Sequence, residues 1–157
     1  MNKPEFYLRL ALDQAQLAVK QGHRPYGAVI VNPQGQVISQ AYNTVHASHD
    51  ATNHAEVSAL RLASKYQNTH KLRGFSLYST AEPCLMCMGA AVWFRIEKVY
   101  FGIDLEELEQ LGFEQIRIPS QEIAQQAPWP IEIYPHILHQ EVFRFYSQCA
   151  LDLKSSK

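Results

Sequence analysis

Phe75-Ser76-Leu77-Tyr78-Ser79-Thr80-Ala81-Glu82-Pro83-Cys84-Leu85-Met86-Cys87 carries the chain from a strand into a helix. Phe75 to Ser79 alternates apolar and polar side chains, the period of a half-buried strand. Pro83 suits the start of a helix, where the N–H that proline lacks has no partner to lose, and the helix then runs from Cys84 to Phe94. Cys84 and Cys87 stand three apart, so on a helix both sulfurs project from one face and can grip one ion. Upstream, His54-Ala55-Glu56 opens another helix, with apolar positions Val57, Leu60, Leu62 and Ala63 and with Thr52 or Asn53 as its cap. One imidazole and two thiols leave the fourth position of tetrahedral Zn²⁺ open, which is the stoichiometry of a catalytic site rather than a structural one. Glu56 sits too close to His54 to share the metal and is well placed to touch a water beside it. Both motifs fall at helix N-termini, where the dipole favours anionic sulfur and lowers thiol pKa values.

A Cys-x-x-Cys beside a βα unit can be a redox dithiol, but that leaves His54 and Glu56 without a role. A structural zinc site needs a fourth protein ligand, and neither Cys149 nor any of the other histidines lies at ligand spacing from either motif. Leu85 and Met86, between the cysteines, read as core packing.

Outward from this centre the elements alternate. Residues 4–22 place Phe6, Leu10, Ala11, Leu17 and Ala18 near helical spacing, with Gly22 as the stop. Ala28-Val29-Ile30-Val31 is a β-branched run, Asn32-Pro33-Gln34-Gly35 a turn, and Val37 to Tyr42 the returning strand of an antiparallel hairpin. Asn43 to Asn53 reads as a polar loop, and Val99 to Gly102 as a fourth strand. Asp104 to Gln110 is acidic and helical, a short helix follows Ser120, and Ile131 to Tyr134 is a fifth strand. A closing helix spans about 139–153, marked by Val142, Phe143, Phe145, Tyr146, Cys149 and Leu153, with a frayed polar tail from Lys154 to Lys157. The pattern predicts a single domain over 1–157, an α/β fold built as a three-layer α/β/α sandwich around a central mixed five-stranded sheet.

The 157 residues are 46% hydrophobic and 18% charged, a globular balance. Fourteen Lys and Arg face fifteen Asp and Glu for a net charge of −1, with the basic residues scattered rather than clustered. That argues against a nucleic-acid partner, since gripping a duplex or folded RNA takes a patch that neutralises several phosphates. The N-terminus lacks the apolar run of a signal peptide, and no stretch reaches membrane-spanning length, so no membrane partner is expected. With two of three cysteines assigned to metal, none remains for an internal disulfide, and a cytoplasmic protein is expected.

The His-x-Glu…Pro-Cys-x-x-Cys pattern resembles that of the cytidine deaminase-like zinc nucleobase deaminases. Within that superfamily the chain is most similar to bacterial guanine deaminases. The matching pieces are Pro25 to Val31, Asn43, Asp50 to Glu56, Glu82 to Cys87, Gly89 to Trp93 and Gly112-Phe113-Glu114. The resemblance implies one Zn²⁺ per chain held by His54, Cys84 and Cys87. It implies Glu56 as the group that takes a proton from water and returns it to a ring nitrogen and to the departing amine. It also implies substrate contacts from Asn43, Tyr26, Ala55 and Trp93, and from Glu114 as both a binding and a catalytic carboxylate facing guanine's N1–H and 2-amino group. A homodimer is the family's habit. Trp93 also reads as a core residue and Glu114 as a solvated surface acid. Asn53, Ala81 and Tyr26 depart from the family's usual residues without touching the ligand set. Rival readings are a tRNA-specific adenosine deaminase, a deaminase of another aminated heterocycle such as a triazine or pterin, and a non-catalytic zinc module. A purine-base substrate, guanine first, is the expectation.

Overall fold

The computed structural model describes residues 3–156. Met1, Asn2 and Lys157, which the single-domain span and the frayed tail include, lie outside the described residues. The strands are β1 (Gly27–Val31), β2 (Val37–Tyr42), β3 (Ser76–Ala81), β4 (Lys98–Ile103) and β5 (Glu132–Tyr134). They form one sheet in the order β2-β1-β3-β4-β5. Pairing is antiparallel at β1/β2 and β1/β3 and parallel at β3/β4 and β4/β5. All five residues of β1 are buried, as a strand covered on both faces requires. Helices α1 (Lys3–Lys20), α5 (Leu105–Gln110) and α7 (His139–Ser155) pack into one core with Val29, Val31, Tyr78 and Ile103. Helices α3 (Ala55–Gln67), α4 (Leu85–Trp93) and α6 (Ser120–Gln126) share the other core with Ala28, Ile30, Leu77 and Val99. The result is the expected three-layer arrangement. No helix among the described residues is long and apolar enough to cross a membrane.

Two helix faces differ from the periodicity reading. The buried stripe of α1 is Tyr7, Leu8, Ala11, Leu12, Ala15 and Ala18, while Phe6 and Leu17 are exposed. Alanines win the inner face because α1 lies hard against the sheet. A Cβ on Gly27 would meet Ala11 O at 2.1 Å and Ala15 N at 2.6 Å, so only glycine fits at the start of β1. On α7 the buried stripe is Val142, Tyr146 and Ala150, and Phe143 and Leu153 face outward. Tyr146 is fully buried, its hydroxyl 2.7 Å from Thr80 Oγ1 and its ring edge-on to Phe113 at 5.7 Å. A further helix, α2 (Val45–Ser48), sits inside the stretch read as loop, with its apolar content too low to show a period.

This topology gathers chain ends at one edge. β2 and β3 end beside the start of the antiparallel β1, where Asn43 N donates to Tyr26 O at 3.1 Å. Parallel β3 and β4 end there too, the edge at which open α/β sheets usually present ligand sites.

Candidate metal and catalytic site

His54 and Cys84 are the N-cap residues of α3 and α4, extended at φ/ψ −67/156° and −67/172°, and neither side chain caps its own helix. This corrects the reading that placed Cys84 inside the helix and gave α3 a cap from Thr52 or Asn53. Asn53 instead accepts from Ser58 Oγ at 2.8 Å and donates to Thr44 Oγ1 at 2.5 Å, tying the preceding loop to the helix. The side chains at the two caps are thus free to turn toward each other. His54 Nδ1 lies 3.7 Å from Cys84 Sγ and 3.6 Å from Cys87 Sγ, and all three donor atoms fall within 4.8 Å of one another. A tetrahedral zinc with bonds of about 2.3 Å to sulfur and about 2.0 Å to nitrogen imposes an N···S edge of about 3.6 Å, so the donor set fits the ion.

The two thiols are unlike. Cys87 donates toward Cys84, which with the His54 imidazole beside it holds Cys84 down to about 4 despite partial burial. That same contact, burial and the Glu56 carboxylate push Cys87 well above the usual thiol range. Without metal the pair therefore shares one proton, carried by Cys87. Contact with Cys84, opposed by burial, raises the His54 pKa.

Glu56 is only 5% exposed. Its Oε1 accepts from Ser79 Oγ at 2.6 Å and its Oε2 from Cys87 Sγ at 3.0 Å. Ser79 on β3 therefore sets the carboxylate's rotamer from below, a role that strand alternation alone does not reveal.

A cavity of about 260 Å³ opens above these groups. His54, Glu56, Cys84, Asn43, Tyr26 and Glu114 all line it, together with Arg24 and Gln115, which sequence reasoning missed. Cys87 is buried close to His54 and Glu56, and Ala55 is buried within the helix start. Asn43 is almost fully buried and accepts from Val45 N at 3.2 Å. Burial pushes the Tyr26 hydroxyl up to about 12, so it stays a neutral donor in the cavity, accepting from Gln115 Nε2 at 3.5 Å. Glu114 is exposed at the mouth rather than buried against the substrate position.

Trp93 does not join this constellation within the chain. It ends α4, whose N-terminus holds the metal ligands, and nine helical residues carry it on the order of 13 Å away along the axis. Its ring is 71% exposed and edge-on to Trp129 at 6.0 Å. Neither substrate stacking nor core packing describes it.

Glu82, between β3 and Pro83, is the other residue the sequence understated. Its Oε1 accepts from Ser120 N (2.8 Å) and Ser120 Oγ (2.7 Å), and its Oε2 from Leu105 N (2.9 Å). One buried carboxylate thereby fixes the starts of α5 and α6, and with them both ends of the segment that carries Glu114 and Gln115. An acid at the end of an apolar strand was the available signal, since such a group is buried only when fully paired.

Residues 1–103 match the family model described as the cytidine and deoxycytidylate deaminase zinc-binding region. The tRNA-specific adenosine deaminase of Aquifex aeolicus is 46% identical over 98 residues, 62% of this chain and 64% of that protein, so the match spans just under two thirds of this relative's length. Guanine deaminase of Bacillus subtilis is 38% identical over 111 residues, 70% of each protein. The solved structure of that guanine deaminase aligns with a TM-score of 0.69 at 32% identity, covering 94% of this chain and 95% of that one. A structure from work on tRNA:A34 deaminases aligns at 0.77 and 28% identity, covering 88% and 97%. With the His-Cys-Cys donor set that holds one zinc ion, the chain belongs to the cytidine and deoxycytidylate deaminase zinc-binding family.

Proposed function

We propose that the protein hydrolytically deaminates a free purine base, most readily guanine, to xanthine and ammonia. The observation that carries this reading is the convergence of Glu56, Asn43 and Glu114 on one small cavity beside the metal donors. When bound, zinc supplies the Lewis acidity that makes water a competent nucleophile near neutral pH. Glu56 takes the water proton and delivers it to a ring nitrogen beside C2. It then takes the second proton, from the hydroxyl added at C2, and passes it to the amine as the C2–N bond breaks and the C2 carbonyl forms, so the carboxylate ends the cycle as it began. Asn43 and the neutral Tyr26 hydroxyl hydrogen-bond the purine edge. Glu114 accepts from guanine's N1–H and 2-amino group, whereas adenine presents a bare acceptor at N1. Among the described residues, Arg24 is the one Lys or Arg that lines the cavity, which suits a neutral base better than a phosphate backbone.

A second reading is deamination of adenosine in tRNA. It draws on the relatives of that name and on a larger cavity of about 570 Å³ that shares Arg24, Tyr26 and Glu114 and runs on past the mouth. Ammonia release from guanine, adenine, cytosine, cytidine, adenosine and an adenosine-bearing tRNA stem-loop separates the two. Guanine turnover well above all others is the expected result, and turnover of the stem-loop alone overturns the guanine reading. Glu114→Ala should lower guanine kcat/KM by about tenfold, the low end of the cost of an unpaired polar group because the carboxylate starts solvated. Zinc content and Tm should not move.

We further propose a homodimer in the reducing cytoplasm. Leu85, Trp93 and Phe143 are large apolar side chains left exposed, and all three cysteines are free thiols. Light scattering at micromolar concentration should give twice the chain mass, and a monomer would refute the dimer.

A further inference from the structure

Away from the catalytic cavity, two carboxylates and two imidazoles converge where α5 and α7 begin. Asp104 is the N-cap of α5 and Glu107 its third helical residue, and they form a reciprocal capping box. Asp104 Oδ1 accepts from Glu107 N at 2.9 Å, and Glu107 Oε2 accepts from Asp104 N at 3.1 Å. Each carboxylate thus uses one oxygen on backbone and turns the other toward a histidine. Asp104 Oδ2 is 2.9 Å from His136 Nε2, and Glu107 Oε1 is 2.7 Å from His139 Nε2. Donor atoms of Glu107, His136 and His139 lie within 4.8 Å of one another.

The imidazoles are also held. Ile137 N donates to Phe101 O at 2.9 Å, which pins the loop that carries His136 to β4. The two rings meet edge-on at 5.1 Å, and His139 lies against Phe143 at 5.8 Å. All four side chains remain reachable, from 23% exposed at Glu107 to 50% at His136.

We infer that this cluster is a second metal site, distinct from the thiolate centre, taking a divalent transition ion through His136 Nε2, His139 Nε2 and the Glu107 carboxylate, with Asp104 beside His136. Two imidazole nitrogens and a carboxylate suit Zn²⁺, Co²⁺ or Ni²⁺, whereas Ca²⁺ and Mg²⁺ favour all-oxygen sets. Two carboxylates with neutral imidazoles balance the ion's charge. The backbone N–H groups of the capping box orient the carboxylates as outer partners orient ligands in established metal sites. Glu107 Oε1 and His139 Nε2 are 2.7 Å apart and Glu107 Oε2 and His136 Nε2 are 3.8 Å apart, which brackets the edge of about 3.3 Å that bonds of about 2.0 Å impose. The ion would exchange two hydrogen bonds for a bridge between the first turns of α5 and α7.

The test titrates the zinc-loaded protein with Co²⁺, followed by calorimetry and absorption. One further equivalent is expected, with d–d bands and no thiolate charge-transfer band, because its donors are nitrogen and oxygen. His136→Asn/His139→Gln keeps a donor toward each carboxylate and should weaken that equivalent by at least about a hundredfold, about tenfold per ligand, while the first zinc is retained. If the double variant fails to fold, His139→Gln alone should give at least the tenfold loss. Absence of a second equivalent, a thiolate band on the added ion, or undiminished binding in the variants would overturn the site.

Discussion

Glu56→Gln should yield a folded, zinc-loaded protein whose turnover is reduced by more than the roughly 10²–10⁴-fold typical of one acid–base group. The amide occupies the same buried space and still offers an oxygen to Ser79 Oγ, which now approaches Glu56 Oε1 at 2.6 Å. What it cannot do is accept the water proton and hand it on. The carboxylate carries two protons in the proposed cycle, one to the ring nitrogen and one to the amine, so the loss falls on kcat rather than on KM. Zinc analysis and Tm provide the control, since neither the ligand set nor the core changes. A Glu56→Gln protein with wild-type turnover would remove this carboxylate from the chemistry.

Cys87→Ser should cost the metal. The Cys87 sulfur lies 3.6 Å from His54 Nδ1 and is buried, so a hydroxyl at the same place is a poor donor in a position the protein cannot hydrate well. Binding to the folded state alone contributes about 4 kcal/mol when free zinc exceeds Kd a thousandfold. Its loss should lower Tm on the order of 10 °C, and a chelator should bring the wild type down to meet the variant. The pH dependence follows from the unequal thiols. Cys84, held down to about 4, is already a thiolate at neutral pH, whereas Cys87 is still protonated. Zinc uptake there should release one thiol proton per chain, plus the fraction carried by His54. Affinity should accordingly fall about tenfold per pH unit for each proton displaced as the solution is acidified. Full zinc retention by Cys87→Ser would show that two ligands suffice.

Spacing made the metal centre legible, because His54, Glu56, Cys84 and Cys87 act through short local separations that survive into the fold. The strands were legible because alternation, or for β1 a β-branched run, is a local signal. Helix faces were harder. On α1, Phe6 and Leu17 outweigh Ala11 and Ala15 in any reading by hydrophobicity, yet close approach of the backbone at Gly27 selects the alanines. Trp93 shows that a motif match carries no direction, since it lies outside its own chain's cavity. The helix that starts at the metal leads away from it. Glu82 and Ser79 owe their positions to contacts across 38 and 23 residues, which periodicity does not encode.

Glu82 has a consequence for how this scaffold can change. Its carboxylate moors Leu105 and Ser120, so the intervening stretch behaves like a bridge deck fixed at both abutments. Substitutions along the deck, at Glu114 or Gln115, can redraw the cavity rim without loosening the metal donors and Glu56 beneath. Substitution at Glu82 itself would release both abutments at once. A lineage built on this chain can therefore exchange one aminated ring for another by rewriting a short span, provided that single acid is kept.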